Sequence, residues 1–223
     1  MSRYTEISKF RKSFDVITNW VYYPIASYIC TLLSYTSITP NQVTMVGIIS
    51  ELCAIYFILA GFELNLILIV VLLQCGYIFD LIDGMLARYK KTGFYHSEKP
   101  SIRGYYLDSV SDHIVRFILF GSLVYTYSIG NDNGWLLGLL FLIIHGILQT
   151  EHSLRLLISN NNTQNRPVSI PLLRHLALLH NNIYLYYLIF IPLNRLDLFF
   201  IFYGAGGLIL FIKRTITFWL QND

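Results

Sequence analysis

The chain has 223 residues, of which 55% are hydrophobic and only 13% are charged, and its mean hydropathy is +0.53. Because a soluble domain usually carries about 25% charged residues, this composition excludes an ordinary soluble enzyme and indicates an integral membrane protein. The formal net charge of +3 is too small to suggest a nucleic-acid partner.

The first predicted helix covers residues 15–37, where aromatic residues such as Trp20 and Tyr28 stand among aliphatic ones and Pro24 interrupts the pattern. We interpret it as an interfacial helix lying along the membrane, with a buried core helix as the alternative. Residues 1–37 are therefore predicted to form an N-terminal cytoplasmic segment with an interfacial amphipathic helix. Residues 38–223 are predicted to form the membrane domain.

Six apolar stretches follow, and each is close to the 20 or so residues that cross a hydrocarbon core of about 30 Å. They cover residues 43–61, 65–86, 105–127, 134–153, 171–192 and 196–214. The fifth is the weakest, because polar residues such as Arg174 and His180 interrupt its first half. The predicted fold class is an all-α integral membrane protein with six transmembrane helices preceded by the interfacial helix.

Basic residues are distributed unevenly between the two sides of these spans. Lys and Arg precede the first span, fill the segments after the second and fourth, and close the chain. The loops after the first and third spans contain none, and only Arg195 falls on that side. This asymmetry predicts that both termini are cytoplasmic, in a multi-pass protein of a bacterial-type plasma membrane or an equivalent membrane.

Two pairs of aspartates lie at the edges of membrane-length segments. Asp80 and Asp83 end the second span, and Asp108 and Asp112 begin the third. A carboxylate within a membrane span costs about 2.5 to 3.5 kcal/mol on insertion scales, so four of them need a compensating charge. Two divalent cations are the simplest candidate, and oxygen ligands favour Mg²⁺ or Mn²⁺.

Small residues accompany the acids at helical spacing. Gly84 and Ala87 share a helix face with the first pair, and Gly104 stands four residues before Asp108. These residues leave room for a bulky group to approach the backbone, and Arg88 is a natural partner for a phosphate oxygen. Together the acids, the notch of small residues and the guanidinium suggest chemistry on a diphosphate.

The order D-x2-D-G-x2-A-R, followed by G-x3-D-x3-D, resembles the signature of the CDP-alcohol phosphatidyltransferases. All eight positions are present: Asp80, Asp83, Gly84, Ala87, Arg88, Gly104, Asp108 and Asp112. The run Thr39-Pro40-Asn41-Gln42-Val43-Thr44 looks like the usual start of that family's first span, with Thr39 as N-cap and Pro40 as the first helical residue. The resemblance covers about residues 38–215.

The resemblance implies an enzyme of phospholipid biosynthesis that transfers a phospho-alcohol group from a CDP-alcohol, such as CDP-diacylglycerol, to an acceptor hydroxyl and releases CMP. It implies that Asp80, Asp83, Asp108 and Asp112 bind two divalent cations, Mg²⁺ or Mn²⁺, and that Asp112 is also the general base. It further implies a homodimer. The asymmetry of the basic residues predicts that the active site, in the lipid bilayer, faces the cytoplasm. The residues that the resemblance assigns to the CDP moiety are Asp80, Gly84, Ala87, Arg88 and Gly104, with Asn41 and Thr44 as further candidates.

The acceptor alcohol is not indicated by the sequence. Candidate acceptor contacts are Arg116, Arg155 and Lys91. The alternative for Arg116 is an ion pair with Asp112, and the alternative for Arg155 is a solvated helix end. The segment 89–103 is longer than is usual in the family. It is either a lid that selects the acceptor or a tolerated surface insertion.

Two other functions use similar residues. A polyprenyl-transferring membrane enzyme also places paired aspartates and Mg²⁺ on a diphosphate, but it lacks the notch formed by Gly84, Ala87 and Arg88. A cation transporter would use the aspartates as an ion path, and such proteins often contain internal repeats, which are not detected here.

Overall fold

The computed structural model of the chain describes residues 2–11, 15–90, 102–129, 131, 133–159 and 182–222, with the backbone alone for 102–112, 151–159 and 217–222. All regular structure in these residues is helical, so the all-α prediction is confirmed. The chain divides into two compact units, Met1–Ser122 and Leu123–Asp223.

Eight α-helices lie within the described residues. They are α1 (Arg3–Ser8), α2 (Tyr23–Leu33), α3 (Pro40–Gly61), α4 (Leu66–Tyr89), α5 (Ile102–Ile129), α6 (Gly134–Ser159), α7 (Ile183–Phe190) and α8 (Leu196–Asn222).

The described helices overlap the predicted membrane spans. Those long and apolar enough to cross a membrane, within the described residues, are Pro40–Gly61, Leu66–Tyr89 and Leu196–Ile216. Two shorter apolar stretches, His113–Ile129 and Gly134–Thr150, lie in α5 and α6. These helices indicate a membrane protein, and the regular structure of its described residues is all helical.

The predicted fifth span falls partly outside the described residues. Of residues 171–192, the structure describes only those from 182 onward, where α7 covers Ile183–Phe190. The six-span topology with two cytoplasmic termini stays a prediction.

The first predicted helix is continuous across Pro24, with a change of helix type in place of a break. A π-helical turn, Thr18–Tyr22, leads directly into α2, and the Tyr23 N–H donates to the Thr18 carbonyl. Pro24 has no N–H, and its ring crowds the turn before it; the wider π-helical turn leaves room for that ring. Asp15 begins this turn by accepting hydrogen bonds from the Thr18 N–H (2.9 Å) and hydroxyl (2.6 Å).

The two faces of this helical stretch differ sharply in exposure. The buried face comprises Tyr22, Tyr23, Ala26, Ser27 and Cys30, and the exposed face carries Trp20, Ile25, Tyr28, Leu32 and Tyr35. This division fits an amphipathic helix whose outer face is aromatic and apolar. Its position along a membrane surface stays a prediction.

The buried face packs against α4 through paired polar groups. The Tyr22 hydroxyl donates to Gln74 Oε1 at 2.6 Å, and the hydroxyls of Thr18 and Tyr77 lie 2.8 Å apart. The rings of Tyr22 and Tyr77 meet edge to face, with centroids 5.1 Å apart. The amino-terminal helices are thus attached to the helix that carries the first aspartate pair.

Helix α3 begins as predicted. The Thr39 hydroxyl accepts a hydrogen bond from the Gln42 N–H, the Gln42 side chain accepts one from the Thr39 N–H, and Pro40 lies in the first turn. This reciprocal capping box satisfies two backbone donors that a helix start would otherwise leave unpaired.

Helices α3 and α4 approach each other closely. A Cβ at Gly47 would lie 3.2 Å from the Phe79 Cβ and 3.5 Å from the Gly76 carbonyl oxygen. The Ser50 hydroxyl donates to the Leu72 carbonyl at 2.8 Å across the same interface. Small residues permit this approach in a membrane, where close van der Waals packing and interhelical hydrogen bonds replace the hydrophobic driving force.

The second unit is built around aromatic rings. Phe141 of α6 contacts Phe199, Phe200 and Tyr203 of α8, with ring centroids 4.8 to 5.7 Å apart. Helix α6 is also fitted tightly to the end of α5, because a Cβ at Gly138 would lie only 3.1 Å from the Val124 Cβ, with the Val124 methyl groups in the way.

We predict that Gly138→Ala destabilises the fold. The added methyl would press on a β-branched side chain that has no flexible end to move, and overpacking of this kind costs about 1–3 kcal/mol. Thermal unfolding in detergent, followed by circular dichroism, should show a lower midpoint.

The matched control is Gly146→Ala in the same helix, where no atom of the described residues lies within 4 Å of the added Cβ. That variant should be as stable as the wild type or more stable, because alanine favours helix by up to about 1 kcal/mol over glycine. Equal midpoints for the two variants would contradict the prediction.

Candidate active site

One face of α4 carries five of the residues singled out in the sequence. Asp80 is exposed, and Asp83, Gly84, Ala87 and Arg88 are partly buried. The opposite face packs inward through Leu81, Ile82, Met85 and Leu86, which are at most 5% exposed. The apolar side of the helix therefore anchors it and leaves the acidic side accessible.

Thr44 of α3 holds the second aspartate of this pair. Its hydroxyl donates a hydrogen bond to Asp83 Oδ2 at 2.6 Å, the short distance typical of a hydroxyl bound to an ionised carboxylate. Such a bond fixes the orientation of the Asp83 carboxylate. Asn41, the other candidate on α3, is exposed in the first turn.

Arg88 lies over Gly84. A Cβ at Gly84 would be 3.3 Å from Arg88 Nη1 and 3.5 Å from Nη2, which places the guanidinium on the helix surface that glycine leaves bare. The guanidinium is close enough to Asp83 and Asp80 to interact with both electrostatically. The motif glycine thus makes room for the motif arginine.

Arg88 has a second partner that the sequence analysis missed. Its Nε donates to the Phe10 carbonyl oxygen at 2.9 Å, and the rings of Phe10 and Tyr89 meet edge to face with centroids 6.3 Å apart. No sequence pattern predicts this contact, because every residue has a backbone carbonyl that could accept the bond.

Lys90 is a further residue that the sequence analysis did not select. Its ammonium donates to the Ile38 carbonyl at 2.7 Å and to the Thr36 carbonyl at 3.2 Å. These two hydrogen bonds attach the end of α4, where the long segment 89–103 begins, to the linker before α3. The described residues of this segment are 89, 90, 102 and 103, so its proposed roles stay untested.

Cys30 lies near these two cations without adding charge of its own. Burial raises the pKa of the Cys30 thiol to about 11, against a smaller opposing effect of the Arg88 and Lys90 charges. The thiol is therefore neutral at physiological pH. The negative charge near Arg88 comes from the aspartates and from any anionic ligand.

The second aspartate pair is described by its backbone only. Gly104, Asp108 and Asp112 lie on α5 at helical spacing i, i+4 and i+8, so they share one face of that helix. Arg116, one turn further on, is partly buried. The convergence of the two pairs stays a prediction.

The structure does not describe the side chains of two acceptor candidates. Lys91 falls outside the described residues, and Arg155 is described only as a backbone position of α6 in the second unit.

The described side chains contain no cluster of three or more His, Cys, Asp or Glu residues able to hold a metal ion. Asp108 and Asp112 are not among the described side chains. The donors that are described suit a hard cation. Asp80 and Asp83 offer only oxygen, and the Thr44 bond orients Asp83 in the way that outer partners orient metal ligands. The residues present therefore fit a Mg²⁺ or Mn²⁺ site.

The comparison with known families identifies one match. A family model described as CDP-alcohol phosphatidyltransferase matches residues 37–219, which is most of the chain and includes all eight signature positions. A comparison with curated proteins gives no match.

We predict that Gly84→Ala weakens CDP binding without unfolding the protein. The new methyl would meet only the tip of the flexible Arg88 side chain, so the side chain moves and the fold does not. We expect an affinity loss of about tenfold, equivalent to about 1.4 kcal/mol, measured by calorimetric titration of the detergent-solubilised protein with CDP and Mg²⁺.

Gly61→Ala is the control for that measurement, because its Cβ would make only ordinary contacts, at 3.6 and 3.9 Å. If the Gly84 and Gly61 variants bind CDP equally well, the guanidinium does not depend on the glycine surface.

We also predict that Thr44→Val raises the Mg²⁺ concentration needed for CDP binding. Valine keeps the shape of threonine but cannot donate to Asp83, and loss of such an outer partner typically costs about 10- to 100-fold in metal affinity or activity. Thr44→Ser keeps the hydroxyl and should remain close to the wild type. A valine variant with an unchanged Mg²⁺ requirement would mean that the bond does not support the site.

Proposed function

The chain belongs to the CDP-alcohol phosphatidyltransferase family, and from that premise we propose that it transfers a phosphatidyl group from CDP-diacylglycerol to a polar acceptor hydroxyl, releasing CMP. The family consists of membrane transferases that act on CDP-alcohols. The observation that carries the proposal is the arrangement on α4, where Arg88 lies over Gly84 beside an Asp83 held by Thr44.

The donor is bound through its diphosphate and nucleotide. Arg88 presents a planar guanidinium, which matches phosphate oxygens in a bidentate manner that lysine cannot reproduce. Gly84, Ala87 and Gly104 keep side chains out of the way of the nucleotide, and Asn41 on α3 contacts it from the first turn of that helix.

The four aspartates provide the site for two divalent cations. Asp80, Asp83, Asp108 and Asp112 would hold them, and members of the family generally use a divalent metal. When bound, such cations neutralise the diphosphate and stabilise the charge that develops on CMP. Their presence also offsets the cost of placing carboxylates at the edge of the bilayer.

The transfer itself requires one proton acceptor. Asp112 takes the proton from the acceptor hydroxyl, whose oxygen forms a bond to the phosphorus that carries the diacylglycerol. The bond from that phosphorus to the CMP phosphate oxygen breaks, and CMP leaves with the electron pair. Because ligation lowers the pKa of a carboxylate, Asp112 must be held loosely enough to act as a base.

The basic residues of the chain support a class of acceptor and a location for the site. Arg116, Lys91 and Arg155 are the proposed acceptor contacts, and cationic side chains favour an acceptor that carries a phosphate or another anionic group. The unequal distribution of basic residues supports a site at the cytoplasmic face. There a lipid donor from the bilayer and a water-soluble acceptor reach the same cleft, in a protein that we propose to be a homodimer.

The test is a CMP-release assay with purified protein, CDP-diacylglycerol and a panel of hydroxyl acceptors. Release should require Mg²⁺ or Mn²⁺ and stop when a chelator is added in excess. Asp112→Asn removes the base and should lower turnover by about 10²- to 10⁴-fold while the protein remains folded.

Asp197→Asn is the control, since this partly exposed carboxylate accepts hydrogen bonds from Arg195 and lies outside the motif. It should leave CMP release unchanged. Full activity of Asp112→Asn, or release that persists in chelator, would overturn the proposed chemistry.

A further inference from the structure

The Arg88 guanidinium is held at two of its edges by different parts of the chain. Its Nε donates to the Phe10 carbonyl at 2.9 Å, while Nη1 and Nη2 lie over the bare surface of Gly84. A guanidinium is planar and rigid, so a bond at Nε together with a contact under both Nη atoms sets the plane of the whole group. The side that carries the Nη donors is thereby presented next to Asp83.

The residue next to Phe10 ties this carbonyl in place. Arg11 Nε donates to the hydroxyl of Ser27 on α2 at 2.9 Å, and its Nη2 donates to Tyr4 at 3.0 Å and to Ser8 at 3.2 Å. Ser27 is fully buried. Arg11 is therefore fixed both to the segment that precedes it and to the helix that packs against α4.

The far end of the same segment is attached independently. Arg3 donates to the Ser34 carbonyl at 3.4 Å, and its guanidinium lies 4.0 Å from the centre of the Tyr35 ring. Ile7, between the two attachments, is fully buried. Residues 2–11 are thus packed along α2 over their whole length, and Phe10 stands at the end that reaches Arg88.

This contact comes from outside the region that matches the family model, which begins at residue 37. A free arginine side chain samples many rotamers, and fixing it before the ligand arrives reduces the entropy lost on binding. A backbone carbonyl suits this task, because it orients the guanidinium without neutralising the charge that a diphosphate needs.

We propose that Phe10 and Arg11 of the amino-terminal segment complete the donor site: the Phe10 carbonyl orients Arg88 toward the diphosphate, and Arg11 is the positioning residue that holds this carbonyl. The inference rests on the proposed function, since it assigns these two residues to the donor side of that reaction. Arg11 touches no substrate in this account and acts only through Arg88.

The test compares two substitutions that remove the same charge from the same segment. Arg11→Met breaks the attachment to Ser27, whereas Lys9→Met removes an exposed cation from the preceding turn. The full chain in detergent is titrated with CDP and Mg²⁺, and KM for CDP-diacylglycerol and kcat are measured in parallel. Arg11→Met should raise the Kd for CDP and the KM by about 2- to 10-fold, with kcat and the unfolding midpoint close to those of the wild type. Lys9→Met should change none of them.

A double variant separates positioning from a general effect on folding. In the Arg88→Lys background there is no guanidinium to orient, so adding Arg11→Met should produce no further loss of CDP affinity. If the two losses multiply instead, Arg11 does not act through Arg88 and the inference is wrong. Ser27→Ala removes the other partner of the same contact. We expect this variant to reproduce the increase in KM, and it replaces Arg11→Met if that protein folds poorly.

The outcomes distinguish the inference from the proposal beneath it. A wild-type chain that binds no CDP and releases no CMP overturns the proposed function and the inference together. A wild type that does both, while Arg11→Met and Lys9→Met behave alike, overturns the inference alone. Tighter CDP binding in Arg11→Met would show that the segment competes with the donor, and it would also overturn the inference.

Discussion

Charged side chains on a membrane-length helix are costly, and the arrangement around α4 is organised by that cost. Asp83 accepts a hydrogen bond from Thr44, Arg88 donates to the Phe10 carbonyl, and Lys90 donates to the carbonyls that precede α3. Three of the charged residues near the end of the helix are therefore bound to neighbouring elements. These bonds link α4 to α3, to the linker before α3 and to the amino-terminal segment, so the same groups that are expected to bind the donor also hold this end of the protein together.

Small residues determine how closely these elements approach. Gly47 lets α3 lie against Phe79 and the Gly76 backbone, which brings Thr44 within reach of Asp83. Gly84 plays the same part for a side chain, because it gives the Arg88 guanidinium a flat surface. In both places a methyl group would change a distance on which the chemistry depends.

The sequence was sufficient to predict features that have a local signature. Thr39 and Pro40 predicted the start of α3, and the spacing of Asp80 and Arg88 predicted their common face on α4. The hydrogen bond from Arg88 to Phe10 and those of Lys90 were not predicted. Their acceptors are backbone carbonyls, which any residue supplies. The π-helical turn before Pro24 was missed for a related reason: proline signals that the usual hydrogen bond is lost, but not which wider turn replaces it. The bond between Thr44 and Asp83 depends on how two consecutive helices pack, because it joins residues 39 positions apart.

The central claim is that aspartates of α4 and α5 together bind divalent cations at the donor site. The most direct test is a Mn²⁺ titration of the purified chain, followed by electron paramagnetic resonance, with wild type, Asp83→Asn, Asp112→Asn and Asp197→Asn in parallel. We expect bound Mn²⁺ in the wild type and in Asp197→Asn, and weakened binding in both motif variants. Mn²⁺ binding that is the same in all four proteins, or absent from the wild type, would contradict that claim.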